Sequence, residues 1–571
     1  MGRRDRQKKK KNSKPEKHPT GYILSRPEGW LFFIALGLRF IHLWIYGDDF
    51  WLKTPLLDDQ IFESWANTIG QDGFLARSLG AFDFNPAYPY LLFFLRKIAG
   101  SYGVLGVFFI QHLIGAFVPV LLFKLTDQVF KDKTIAFVAG LLGALYGPAF
   151  FYESRYLGEF WIFFFNVACL RALVRADREA PSLTVWALAG ISLGFSNLFR
   201  PNVLVFVPFV FAWGAWSFRL HRSDEDRPVR AKGAVVACAV FLLCLWLPLL
   251  PFQLRNRAVV EGAGWGLTTA SGGVNLYLGN NPEADGLNQA PSFIRYGPGH
   301  EYDDFKEEAQ RREGKTLTKS EVSRYWTGKV LEWFKADPGS AFSLMLRKAG
   351  FFWNHREPPD NFFLSIFEKF TTLGGWPLVA WGLVAPLGLA GLLWSLALGA
   401  GRRYWILHAY VFSYFAVNVL FYILSRYRFP AAVGLMPFAA FALVEGKRLV
   451  AARDGLKSIA LGILIVACIG FSRVPMIGEE DKAVSHYSMG VIYANQGWKD
   501  KAVKEYHKSI QANPAFKVSY VNLGILEAGR GRLPEAQAAL EGALRFETEP
   551  KQREALISNI EALKRRIAAI K

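Results

Sequence analysis

Five carboxylates, Asp58, Asp59, Glu63, Asp72 and Asp83, fall within residues 54–90, directly after the first long apolar segment. Acids crowded beside a bilayer are costly to keep, and a chain that keeps them uses them. After Asp58 and Asp59, the residues Ile61, Phe62, Trp65, Ala66 and Ile69 recur at helical spacing, which predicts a short amphipathic helix over Gln60–Ile69 lying on the membrane surface. Glu63 follows the Asp pair by four to five residues, so one helical turn brings the three carboxylates to the same side. Either Asp could instead cap that helix. Capping needs one Asp, and the chain supplies two.

A second set of charges is basic. Arg155, Arg200, Arg255, Arg257, Arg426 and Arg428 stand at or near the ends of apolar segments. Taken singly, each fits a side chain snorkelling to headgroups. Arg200 before Pro201, and the run SRYRFP at Ser425–Pro430, fall on the same side of the membrane as the acids. Together they read as a phosphate-binding partner to the carboxylates, because a guanidinium offers a planar fork of donors.

The elements that must position these groups are membrane helices. The 571 residues are 52% hydrophobic and 15% aromatic, and apolar runs long enough to cross a bilayer return many times. The net charge of +19 follows topology rather than nucleic acid, since Lys and Arg gather in the N-terminal run RRDRQKKKKNSK and between alternate apolar segments. Residues 1–27 read as a disordered cytoplasmic tail. Gly29–Gly47 is too long for a signal-peptide core and stays as the first span. Placing the tail inside gives eleven crossings, ending with Ile459–Phe471, and puts loops 48–103 and 252–372 and the C-terminus outside. The four cysteines all lie in apolar segments without zinc or disulfide spacing.

Within the long loop, the Gly- and Asn-rich part containing GNNPEADG lacks the spacing of a phosphate loop. Lys319–Ala336 and Pro338–Trp353 read as helices, the second opening at Asp337 with Pro338 in its first position, and their aromatic residues suggest packing at the membrane interface. Residues 481–571 are polar and repeat: Gly490 and Gly524 are 34 residues apart, as are Ala502 and Ala536. With Met489, Tyr493, Tyr506, Leu523, Leu540 and Ala543 around them, and a last helix over Lys551–Ile570, this resembles two tetratricopeptide repeats with a cap. Such a unit is expected to fold independently and to bind an acceptor or protein partner.

The membrane part, 28–472, resembles the GT-C glycosyltransferases that use polyprenyl-phosphate sugars, a group including protein O-mannosyltransferases and the lipid A aminoarabinose transferase. The matching stretches are PLLDDQIFESWA, FNPAYPYLL, YESRYLGEF, LFRPN, GNNPEADG and SRYRFPAAVGLMP, in that order. The resemblance implies a polytopic α-helical fold and inverting transfer of one sugar from a lipid phosphate to an extracytoplasmic protein, lipid or polysaccharide, in a bacterial inner membrane. It implies Asp58 as the base, with Asp59 and Glu63 as neighbours tuning its charge. Glu153 and Glu159 are candidates to complete an acidic cluster, and Arg200, Arg426 and Arg428 to hold the donor phosphate. Tyr88 and Pro89 would line a lipid groove, or else belong to an interfacial aromatic belt. Some relatives use a divalent ion, and two or three carboxylates could hold Mg or Mn, but the doublet is not a DxD and metal stays open.

Two rivals have other signatures. A lipid or polysaccharide transporter places ionisable groups within its helices, whereas these charges stand at the rim. An O-antigen ligase or polymerase relies on a large outer loop with Arg and His; His300 and His355 lack that arrangement, and the early acidic loop favours the GT-C reading.

Overall fold

The computed structural model describes residues 27–570 apart from 56–57, 81, 83–84, 179–181, 221–226, 260–270, 288–289, 295–300, 359–363, 400 and 477–481. The basic tail, much of the Gly-rich part of the long loop and His300 lie outside the described residues. What is described is helical, with one two-stranded hairpin, Thr372–Leu373 against Trp376–Pro377.

Four helical stretches are long and apolar enough to cross a membrane: Pro27–Tyr46, Ala87–Phe130, Ser425–Ala451 and Gly455–Ser472. A fifth arises if Lys232–Trp246 and Leu250–Val259, bent by 46° at Pro248, form one span. Shorter apolar helices, Lys133–Ala144, Leu183–Phe199, Pro201–Trp216, Trp381–Ala397 and Tyr404–Leu420, pack among them. Small residues allow the close approaches that helix pairs in lipid depend on. On Leu183–Phe199, a Cβ at Gly190 or Gly194 would come within 2.3 Å of the carbonyl oxygens of Phe241 and Leu245 on the facing helix.

The expected first loop, 48–103, contains helices of its own. AYPYLLFFLRKIA forms a helix, Ala87–Ala99, that buries Tyr88, Pro89, Leu92 and Leu95 and opens the apolar run. That run is broken at Gly100–Tyr102, where Gly100 and Gly103 both take a φ of 55°. The acidic helix extends over Asp58–Asp72 and packs on Ala87–Ala99 through Phe62 against Tyr88, with Ala66 and Ile69 buried. Its far end is strapped by Arg255, which donates to the carbonyls of Leu75, Ala76 and Gly80 while lying 3.9 Å over the Phe82 ring.

Lys319–Ala336 and Pro338–Trp353 form as expected, the first with a Thr318–Glu321 capping box and the second with Asp337 accepting from the Ser340 amide. Their aromatic residues are not all interfacial. Trp326 is fully buried against Tyr277, Phe293 and Phe305, and Phe351 and Phe352 enter the main core, because the long loop has a hydrophobic centre of its own to fill.

Residues 482–570 form helix pairs, Lys482–Asn495 with Lys499–Ala512 and Lys517–Ala528 with Leu533–Leu544, followed by Pro550–Ile570. The 34-residue spacing has a steric meaning. Gly490 admits the ring of Tyr506 and Gly524 the side chain of Leu540, each 16 residues further on, where a Cβ would come within 2.5 and 2.7 Å. This unit does not stand apart from the membrane part: Ile492 is buried in the main core, with Met489 and Tyr493 packed at its edge.

Candidate functional site

The Asp doublet opens its helix, where carboxylates suit the positive end of the helix dipole. The two side chains then part company. Arg426 Nη1 donates to Asp58 Oδ2 at 2.6 Å, and Asp58 retains 15% of its side-chain surface. Asp59 is buried, with Arg155 Nη2 2.5 Å from its Oδ2, and Arg155 Nη1 donates to the Trp51 carbonyl at 2.8 Å. Glu63, one turn on, is held by Arg96. The three acids therefore meet three different arginines, each from a different part of the chain.

Arg426 belongs to a one-turn helix, Ser425–Arg428, that is fixed from below. Lys348 Nζ, fully buried, donates to Asn280 Oδ1 at 2.8 Å and to the Phe421 carbonyl at 2.6 Å, and the Ile423 amide donates to the Gly286 carbonyl at 3.1 Å. GNNPEADG thus clamps the strand-like segment that leads into Arg426. Burial lowers the Lys348 ammonium to a pKa of about 7.

Arg200 reaches the same neighbourhood. Its guanidinium lies 4.2 Å over the Tyr427 ring, while Arg426 lies 5.5 Å from that ring, and its Nη2 donates to Glu159 Oε1 at 2.7 Å. Tyr427 faces Tyr422 across 3.3 Å between hydroxyls, and Tyr422 donates to Asn275 Oδ1. Glu301, the first residue of Glu301–Glu313, feels both Asp58 and Arg426. Although it keeps solvent access, the protein around it and then the Asp58 carboxylate push its carboxyl above the ordinary value, with Arg426 pulling it back. The resulting constellation is one partly exposed carboxylate with two guanidinium groups flanking an aromatic ring, a geometry that can accept a proton and hold a phosphate side by side.

Other expected members lie elsewhere. Glu153 is not beside Asp58 or Glu159. It is fully buried, taking Arg39 Nε and Nη2 at 2.8 and 2.7 Å, with His112 Nδ1 at 3.3 Å, because Gly115 leaves room for its carboxylate. Arg428, two residues past Arg426, turns inward and donates to the carbonyls of Phe351, Phe352, Asn354 and Arg356 and to Glu357, so it secures the backbone instead of facing a phosphate. Tyr88 and Pro89 are buried rather than lining a groove. The Tyr88 hydroxyl lies 3.1 Å from Gln111 Oε1 and from the Arg155 carbonyl, beneath the Asp59 pair.

The doublet does not offer a ligand set for a divalent ion as it stands. Each Asp is bound to its own arginine, and among the described residues no three of His, Cys, Asp and Glu converge. No step is derived through such an ion.

Sequence reasoning passed over Tyr427 and Glu301. Tyr427 carried a signal, an aromatic ring between two arginines in SRYRFP. Glu301 carried none, as its place depends on how the long loop folds back. Arg155 was visible only as one of six arginines at or near the ends of apolar segments.

No family model matches the chain. Photosystem I assembly protein Ycf3 of Acaryochloris marina (strain MBIC 11017) is 38% identical over 66 residues, 12% of this chain, which spans 40% of that relative's length. Among solved structures, the chain is similar to the Archaeoglobus fulgidus oligosaccharyltransferase complexed with Zn and sulfate, at 16% identity and a TM-score of 0.43 over 81% of this chain and 55% of that one. It is also similar to archaeal oligosaccharyltransferase AglB from Archaeoglobus fulgidus in complex with an inhibitory peptide and a dolichol-phosphate, at 15% identity and a TM-score of 0.44 over 82% and 58%. The chain spans a little over half the length of these structures.

Proposed function

We propose that the chain is a membrane glycosyltransferase that moves one sugar, with inversion, from a polyprenyl-phosphate donor to an acceptor outside the cytoplasm. The observation that carries this reading is the partly exposed Asp58 with Arg426 bonded to it and Arg200 across the Tyr427 ring. In the proposed step, Asp58 takes the proton of the acceptor hydroxyl as its oxygen bonds to the anomeric carbon. The carbon–oxygen bond to the donor phosphate breaks, and the polyprenyl phosphate leaves with the electron pair. Arg200 and Arg426 hold that phosphate, Glu159 aims Arg200, and Asp59 and Glu63 with their own arginines fix the helix that presents Asp58.

In the same reading, the short apolar helices together with Glu159–Arg178 complete an eleven-span topology with residues 1–27 cytoplasmic and 481–571 outside, set by the distribution of Lys and Arg. Residues 482–570 are tetratricopeptide repeats, a reading supported by the equivalent packing at Gly490 and Gly524. Transport is disfavoured because Arg39, Glu153, His42 and His112, charged or titratable groups deep among the helices, are fully buried and bonded to one another or to backbone.

The test supplies the purified chain in nanodiscs with polyprenyl-phosphate sugars and a simple hydroxyl acceptor, and follows sugar transfer and release of polyprenyl phosphate. Turnover that requires Asp58 supports the reading. Translocation of the intact lipid-linked sugar, without release, would replace it.

A further inference from the structure

The C-terminal helix pairs make a contact that a free-standing repeat unit would not. Repeats ordinarily touch only their neighbours and cap their outer faces with polar residues. Here the first pair turns aromatic residues onto the first loop. The ring of Trp498 is 4.4 Å from that of Phe50, the ring of Tyr493 is 5.1 Å from that of Trp51, and Lys501 covers Trp498 at 4.3 Å. The helix Leu364–Phe370 also meets Lys482–Asn495, and its Lys369 pairs with Asp49, whose Oδ1 caps the short helix Phe50–Lys53 by accepting from the Trp51 amide.

Trp51 is only two contacts away from the doublet. It is buried at 8% exposure, its carbonyl accepts from Arg155 Nη1, and the same guanidinium binds Asp59 through Nη2. From repeat to carboxylate the line runs Tyr493, Trp51, Arg155, Asp59. A guanidinium held at two points is sensitive to the position of either, because a shift of a few tenths of an ångström at the carbonyl weakens one bond or re-aims the other.

We propose that Trp51 is a positioning residue through which the C-terminal helix pairs hold the Arg155–Asp59 pair in place. The repeat unit then controls the site by how firmly it docks. That it alters sugar transfer rests on the function proposed above; that it orders the first loop does not.

The experiment uses the full chain in nanodiscs and compares Tyr493→Ala/Trp498→Ala with Tyr493→Phe and with Leu540→Ala, which loosens the second helix pair away from the contact. Hydrogen exchange is read over residues 49–66, and transfer kinetics with binding of a polyprenyl phosphate probe are read in parallel. Exchange should rise about tenfold or more in the double variant, rise less in Tyr493→Phe, which keeps the ring but loses the hydroxyl's bond to Trp51, and stay near wild type in Leu540→Ala. The turnover rate should fall while probe binding holds. A Tyr493→Ala single variant, which removes the ring against Trp51 and leaves Trp498 on Phe50, should raise exchange in the same direction and keeps the test valid if the double variant misfolds. Unchanged exchange in a folded double variant overturns the proposal, as does unchanged exchange in the folded Tyr493→Ala chain. Altered exchange with undiminished turnover overturns the positioning role. A wild-type chain without transfer fails the functional reading alone, since exchange still decides the ordering of the loop.

Discussion

Arg426 donates to Asp58 across 368 residues of chain, and the two side chains meet at 2.6 Å with 8% and 15% of their surfaces open. Such a pair is buried enough to be directional and open enough for a third group to reach it. A carboxylate that is only partly screened can still accept a proton from an incoming hydroxyl.

Asp58→Asn is therefore expected to abolish transfer with the fold intact. Asn keeps the size of Asp and its place at the helix start, while loss of a general base costs about 10² to 10⁴ in rate. Single-turnover kinetics with saturating donor measure this. Near-normal rates would move the base to Asp59 or Glu63.

Arg200→Lys separates charge from shape. Lys keeps the positive charge but loses the fork and the stacking on Tyr427. Binding of polyprenyl phosphate, read by titration, should weaken about tenfold, the loss of one good charge-assisted hydrogen bond. Equal affinity in the Lys variant would show that the fork is not used.

Glu153→Gln tests a different part of the chain. Arg39 has no exposure, and removing the charge it pairs with leaves a buried guanidinium uncompensated, at a cost of about 3 to 5 kcal/mol. Thermal unfolding in detergent should shift down clearly, and Gly115→Ala, which drives a Cβ into the carboxylate, should act in the same direction. The double change Arg39→Met/Glu153→Met should recover much of the loss. If Glu153→Gln leaves stability unchanged but stops transfer, the pair belongs to the chemistry.

Lys348 supplies a pH signature. Its ammonium is lowered from 10.5 to about 7, so between those values the unfolded chain binds a proton that the folded chain has released. Stability should then rise with pH across that window and level off above it. Lys348→Met should remove the slope. Melting temperatures at several pH values from 6 to 11, for both chains, decide it.

The helical nature of the chain and its acidic first loop were open to reading because apolar periodicity and misplaced charge are local signals. Which charge meets which was not. Arg426 and Arg428 are two residues apart in one motif, yet a single turn of helix sends one toward Asp58 and the other into a nest of carbonyls. Glu153 and Glu159 share a motif as well, and a bend at 154–158 sends them to Arg39 and Arg200. Arg39 itself lay hidden inside the apolar run LFFIALGLRFIHLW; the expense of an arginine at that depth was the one clue to a buried acid partner. The docking of the repeat onto the first loop left no periodic trace, as it depends on four aromatic residues from two distant segments.

The pairing of Asp58 with Arg426 also sets an order of events in biosynthesis. The doublet leaves the ribosome early, and its second guanidinium follows 368 residues later, roughly 20 to 70 s at ordinary elongation rates. Until then Asp58 lacks its partner, so on the proposed function the nascent protein carries an unfinished centre through most of its synthesis. On the proposed function, competence then waits for the last spans, and a chain stalled or clipped before residue 426 is expected to stay inert however well its earlier helices have assembled.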